Sequence, residues 1–237
     1  MPPLDDFGLS NILEGVDTYL RKSLHLAASG RPLIFFDTET TGLNLQGPNK
    51  SIAWQIGYVR RGNVRPDSEE MAGEIVLKIE ETLDPVICKI CEVQPDHPQK
   101  FGYDPVTVLK KFAAKLDGAI PIGQNSDEFD FQILRNTYER YGVPLPPELA
   151  HVGIGYSIDT LFLAKSLYNK AGTSGPPNLK LVTLGEHLKC QFDPNDLHHA
   201  LADVRLTAAV FDNFIRFGEK IFTDELYQRE VSRRTPR

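Results

Sequence analysis

The apolar positions change period part of the way along the chain. Over residues 9–28, Leu9, Ile12, Leu13, Val16, Tyr19, Leu20 and Leu24 recur every three or four positions, which predicts an amphipathic helix ahead of the first strand. Three strand-like runs follow, at 32–37 (PLIFFD), 51–59 (SIAWQIGYV) and 74–80 (EIVLKIE). The stretches between them, GLNLQGPNK and RGNVRPDSEE, are short and rich in Gly, Asn and Pro, so antiparallel neighbours are expected. Helix and strand then alternate: a helix over 104–117, a strand at AIPIG (119–123), a helix over 128–141, a strand at YSID (156–159), and helices over 160–169, 179–189 and 198–217. Strands first and alternating units afterwards predict an α/β domain with a mixed sheet flanked by helices. The segment YNKAGTSGPPN at 168–178 reads as a loop.

A chain of 237 residues suits one medium domain. We expect a helical extension over 1–30, a catalytic domain over 31–220 and a basic tail over 221–237. In that tail, Arg229, Arg233, Arg234 and Arg237 lie among polar residues and read either as a frayed terminus or as a phosphate-attracting segment. With 41% hydrophobic and 24% charged residues the composition is that of a globular protein. No apolar run approaches the length of a bilayer span, the acidic start MPPLDDFG has no apolar leader core, and three cysteines make no disulfide framework. These features predict an intracellular protein, cytoplasmic or nuclear, without a membrane partner. A net charge of −6 argues against gripping long stretches of duplex backbone, but it allows an enzyme that holds a single strand end.

Chemistry enters with FFDTETTGL at 35–43. Side chains alternate along a strand, so Asp37 and Glu39 face the same way, roughly 6–7 Å apart along it. Two carboxylates so placed repel each other unless a cation lies between them. In GQNSDEFDFQIL (123–134), Asp127 and Asp130 open a helix, where negative charge is favoured. In LHHALADVRLTAAVF (197–211), Asp203 falls in an otherwise apolar helix, a costly place for an unpaired carboxylate. His198 stands five residues before it, roughly 500° around a regular helix. The two therefore act together only if His198 lies in the loop or at the very start of the helix.

Asp37-x-Glu39, then Asp130, then His198-x4-Asp203, in that order, resemble the DEDDh (DnaQ-like) family of 3′→5′ exonucleases. IDTLFLAKSL and NLKLVTLGEHLKC resemble its intervening segments, and the likeness covers roughly 31 to 217. The spacing in NSDEFD is similar to that of the three-prime repair exonucleases, whereas Gln124 departs from the His often found there and touches positioning only. The resemblance implies a ribonuclease H-like fold, a five-stranded mixed sheet flanked by helices. It also implies two Mg²⁺ or Mn²⁺ ions per active site, held by Asp37, Glu39, Asp130 and Asp203, with Asp37 shared and Asp130 supporting the second ion. One ion would acidify the attacking water and the other would stabilise the leaving 3′-oxygen, with His198 as general base. The partners implied are 3′ ends of single-stranded DNA or RNA, and the products nucleoside 5′-monophosphates. Thr38, Thr40, Thr41, Leu43 and Asn125 are candidate contacts to the terminal nucleotide, although the threonines also suit plain turn chemistry.

Two other functions fit the same resemblance. One is an RNA-trimming exoribonuclease, distinguished by how the site treats the 2′-hydroxyl. The other is a nuclease-like binding module without catalysis, which the presence of all five site residues disfavours. Cys88-x-x-Cys91, with His97 and Cys190, invites a zinc reading, but there is no second such pair to complete it. Trp54 is expected in the core.

Overall fold

A computed structural model of the chain describes residues 18–171 and 175–234. Leu9, Ile12, Leu13 and Val16 of the expected first helix lie outside them.

Helix α1 (Thr18–Ala27) is followed by β1 (Leu33–Thr40), β2 (Ala53–Arg61) and β3 (Glu69–Val76), which pair antiparallel in sequence order. Short helices α2 (Pro85–Ile90) and α3 (His97–Phe101) lead to α4 (Pro105–Leu116) and the four-residue β4 (Ile120–Gly123). Then come α5 (Asp130–Arg140), α6 (Pro147–Ala150), β5 (Ile158–Asp159), α7 (Thr160–Ala171), α8 (Leu181–His187) and α9 (Ala200–Arg234). The sheet order is β3-β2-β1-β4-β5, with β4 parallel to both β1 and β5. This is the expected five-stranded mixed sheet. No helix among the described residues is long and apolar enough to cross a membrane.

The continuous apolar run at the start of β1 reflects a strand covered on both faces. Phe35 meets Phe211 of α9 edge-on at 5.3 Å, and Phe36 meets Phe131 of α5 edge-on at 5.3 Å on the other face. One apolar core therefore lies between the sheet and α1, α7, α8 and α9, and the other between the sheet and α4 and α5. Trp54 is buried in the second core, as expected.

Two expectations need correction. The third strand runs Glu69–Val76 rather than 74–80, because its register against β2 pairs Glu69 with Arg61 and Val76 with Gln55. Past Val76 the ladder ends: the Leu77 N–H still reaches the Trp54 carbonyl at 2.8 Å, and Leu77 forms an isolated bridge to Tyr103. The last helix does not stop at 217 but continues to Arg234, so residues 221–234 of the segment read as a frayed or phosphate-attracting tail have helical backbone, and Arg237 lies outside the described residues. Helix α1, expected as an extension ahead of the first strand, packs against the domain. Leu20 is fully buried in the same core as β1 and α9, and the Tyr19 hydroxyl donates to the Asp159 carbonyl at 3.3 Å while accepting from the Asp159 N–H at 2.5 Å.

Two features seat α9 on the sheet. Gly57 of β2 lets the backbones approach, since a Cβ there would lie 2.4 Å from the Ala200 carbonyl carbon. Arg61 and Asp212 form a buried ion pair at 2.7 Å, with the guanidinium 4.9 Å from the Phe35 ring centroid. Because Gly57 is also the register partner of Asp37, the first turn of α9 sits beside the carboxyl end of β1.

Candidate active site

β1, β4 and β5 run parallel; β4 and β5 end together at Gly123 and Asp159, just past the last pairing of β4 with β1 at Phe35, while β1 continues to Thr40. The carboxyl ends of parallel strands are where open α/β sheets bind their ligands. Asp37 and Glu39 share the face of β1 that α9 covers, and Asp203 comes from the first turn of α9. One ligand atom from each of these three carboxylates lies within 4.8 Å of the others.

Bringing three acids together this closely is electrostatically costly. Burial, followed by the fields of Asp130, Glu39 and Asp203, holds the Asp37 carboxyl well above the usual range. Burial pushes Glu39 up to about 7, with Asp203 and Glu74 adding to the shift and the Cys91 thiol opposing it. Burial also raises Asp203, and the charge and backbone N–H of His198 pull it back. Close, buried, hard oxygen donors of this kind suit Mg²⁺ or Mn²⁺, whose charge would remove the repulsion.

Asp130 arrives differently. β4 stops at Gly123, and the segment after it turns so that α5 begins beside β1. The Asp130 carboxylate is buried there and accepts from the Thr38 N–H at 3.1 Å and the Thr38 hydroxyl at 2.5 Å. Burial raises it to about 7 against those two donors. It acts on Asp37 through its field but stands outside the group of three.

His198 lies in the turn before α9, as its spacing from Asp203 required. It is exposed, has a left-handed backbone with φ of 67°, and donates its N–H to Asp203 Oδ2 at 3.2 Å. His199 is half-buried, and its carbonyl accepts the Asp203 N–H at 3.1 Å.

The candidate nucleotide contacts divide into two groups. Thr38 is tied to Asp130, the Thr40 hydroxyl donates to the Gly42 carbonyl at 2.7 Å, and the Thr41 hydroxyl accepts the Ile52 N–H at 3.1 Å. Each of the three hydroxyls thus has a partner within the protein. Leu43 is 81% exposed, and Asn125 is left-handed, with its N–H on Asp159.

Sequence reasoning missed two groups here. Asp159, fully buried and pushed up to about 6 by burial, accepts the N–H groups of Asn125, Asp127 and Leu161 and so shapes the loop that leads to Asp130. An Asp directly before a helix is a capping signal, which could have been read in IDTLFLAKSL. Gln124 accepts from the Thr160 hydroxyl and donates to the Leu179 carbonyl. The second missed group is Cys91, whose Sγ donates to Glu39 Oε2 at 3.2 Å. His97 packs on Trp54 and Phe101, and Cys190 lies by Asn213, so these residues do not converge on a zinc site with Cys91.

The raised acids predict how stability depends on pH. From their ordinary values near 4 up to about 7 for Glu39 and Asp130, the folded state keeps protons that the unfolded chain has already released. The metal-free protein is therefore expected to lose stability as pH rises through that window and to level off above it. Saturating Mg²⁺ should flatten the fall. Unfolding midpoints across pH in EDTA and in Mg²⁺ test this, and a metal-free midpoint that climbs from pH 5 to 7 would contradict it.

The family described as Exonuclease (RNase_T) matches residues 34–211. Among solved structures, the chain is similar to E. coli exonuclease I in complex with a dT13 oligonucleotide, with a TM-score of 0.63 and 18% identity over 83% of this chain and 43% of that one. It is also similar to a moderately thermophilic exonuclease I from Methylocaldum szegediense, with a TM-score of 0.62 and 21% identity over 83% and 44%. At such identities the likeness concerns the fold, which is ribonuclease H-like. This chain spans less than half the length of those proteins. No curated protein matches it.

Proposed function

This chain belongs to the exonuclease family, and from that premise we propose that it removes nucleoside 5′-monophosphates from the 3′ ends of single-stranded DNA by divalent-metal-dependent hydrolysis. The observation that carries the reading is the meeting of Asp37, Glu39 and Asp203 within 4.8 Å, with His198 in the adjoining turn. The oligonucleotides dT13 and dA16 in the E. coli exonuclease I complexes favour DNA as the strand.

Asp37, Glu39 and Asp203, with Asp130 alongside, would hold two Mg²⁺ or Mn²⁺ ions. When bound, such ions supply Lewis-acid activation of water and charge stabilisation at the leaving oxygen. The remaining work falls to the chain. A ring nitrogen of His198 takes the proton of the water attacking the terminal phosphorus, a task suited to imidazole near neutral pH. As the new P–O bond forms, the bond to the 3′-oxygen breaks, and that oxygen takes a proton from solvent water to end as a hydroxyl. The Asp203 carboxylate, bonded to the His198 N–H, anchors the turn that carries the base. Leu43, exposed just past β1, would serve as an apolar wedge against the last base.

The test is digestion of 5′-labelled single strands of DNA and RNA with one sequence, in Mg²⁺ and in EDTA. A descending ladder on DNA in Mg²⁺, absent in EDTA and resisted by a 3′-phosphate, is expected. Cutting of a closed circular strand at a similar rate would overturn the exonuclease reading, and faster loss of RNA would move the substrate to RNA.

A further inference from the structure

Glu39 is the hardest of the three clustered acids to hold in place. It has three rotatable side-chain bonds, neighbours of the same charge, and a place where the register of β1 against β2 slips, between Glu39 and Thr40. β1 alone therefore leaves its carboxylate free to swing from Asp37 and Asp203. The side chain that meets it is Cys91, 3% exposed, with Sγ 3.2 Å from Oε2.

We infer that Cys91 is a positioning residue for the metal centre, its thiol holding the Glu39 carboxylate in reach of Asp37 and Asp203. The inference rests on the proposed metal site. Cys91 is itself fixed from both sides. It closes α2, whose first turn is capped by Asp84 accepting the Val86 N–H at 2.7 Å, and its own N–H reaches the Ile87 carbonyl at 2.9 Å. Glu92 then turns the chain with φ of 53°. A thiol suits the task because it is a neutral donor. A Lys here would neutralise Glu39 and compete with the cation, whereas the thiol orients the carboxylate and leaves its charge available. The partner Cys88 plays no part, as its sulfur faces the Leu83 carbonyl at 3.7 Å.

Calorimetric titration of the full chain with Mn²⁺, without nucleic acid, tests this on the parent, Cys91→Ser, Cys91→Val and Cys91→Ala. Val and Ala remove the donor and should weaken Mn²⁺ binding about tenfold, the low end for losing a partner of a metal ligand. Ser keeps a donor and should stay close to the parent. Unfolding midpoints in EDTA report on the fold separately, since a merely structural cysteine would shift them and leave the affinity of the folded protein alone. Should Val not fold, Ala carries the comparison. Parental affinity in the donor-less variant, or a Ser variant as weak as it, would overturn the role of Cys91. A parent that binds no Mn²⁺ would overturn the metal centre itself.

Discussion

Asp37→Ala is expected to bring degradation of a 3′ end down to the assay background, a loss of at least about 10³-fold, while the metal-free protein melts no lower than the parent. The rate effect follows from the position of Asp37. Its carboxylate is one of the three that meet within 4.8 Å and also feels the field of Asp130, so without it the cluster keeps only Glu39 and Asp203. Metal ions at such sites contribute several kcal/mol of charge stabilisation in the transition state, and about 4 kcal/mol is about 10³ in rate. The stability effect has the opposite sign from that of an ordinary buried residue. Burial and three neighbouring acids hold the Asp37 carboxyl above its usual range, so its ionised form opposes folding when no cation is present. Unfolding midpoints in EDTA and Mg²⁺ should show the parent gaining from Mg²⁺ and the variant gaining little. Digestion at the parental rate, or a large drop in the metal-free midpoint, would refute the role given to Asp37.

His198→Ala should lose about 10²–10⁴-fold in rate, the usual cost of removing a positioned general base, while His199→Ala stays within a few-fold of the parent. The two imidazoles are adjacent in sequence but differently placed. His198 is exposed in a left-handed turn with its N–H on Asp203, whereas His199 is half-buried where α9 begins. Mn²⁺ affinity should change little in either variant, because hard cations prefer oxygen donors. The acidic limb of the pH–rate profile reports deprotonation of the base and should flatten in His198→Ala alone. Equal impairment of both variants, or greater damage in His199→Ala, would withdraw the role from His198.

Local pattern suffices wherever a property depends on near neighbours in sequence. The apolar run and the alternation of β1 put Asp37 and Glu39 on one face. The angular step of a helix, set against the five-residue spacing to Asp203, puts His198 ahead of α9. The short Gly- and Pro-bearing connections point to the antiparallel β1-β2-β3 meander. The third strand departs from its expected span because an edge strand takes its ends from the partner's register, here β2, rather than from its own composition. The last helix runs past its expected end because Gly218, a residue that often closes a helix, is accommodated within it against Leu24 of α1, and no proline follows until Pro236.

Tertiary structure alone decided which atoms share a site. The close approach at Gly57 brings Asp203 to Asp37 across more than 160 residues, and the early end of β4 gives Asp130 to Thr38 rather than to the group of three. Asp159 became the organiser of the Asn125 loop, and Cys91 a partner of Glu39 from 52 residues away. Periodicity reports which face a side chain takes on its own element. Which groups of another element meet that face depends on packing between elements, and no local pattern records it.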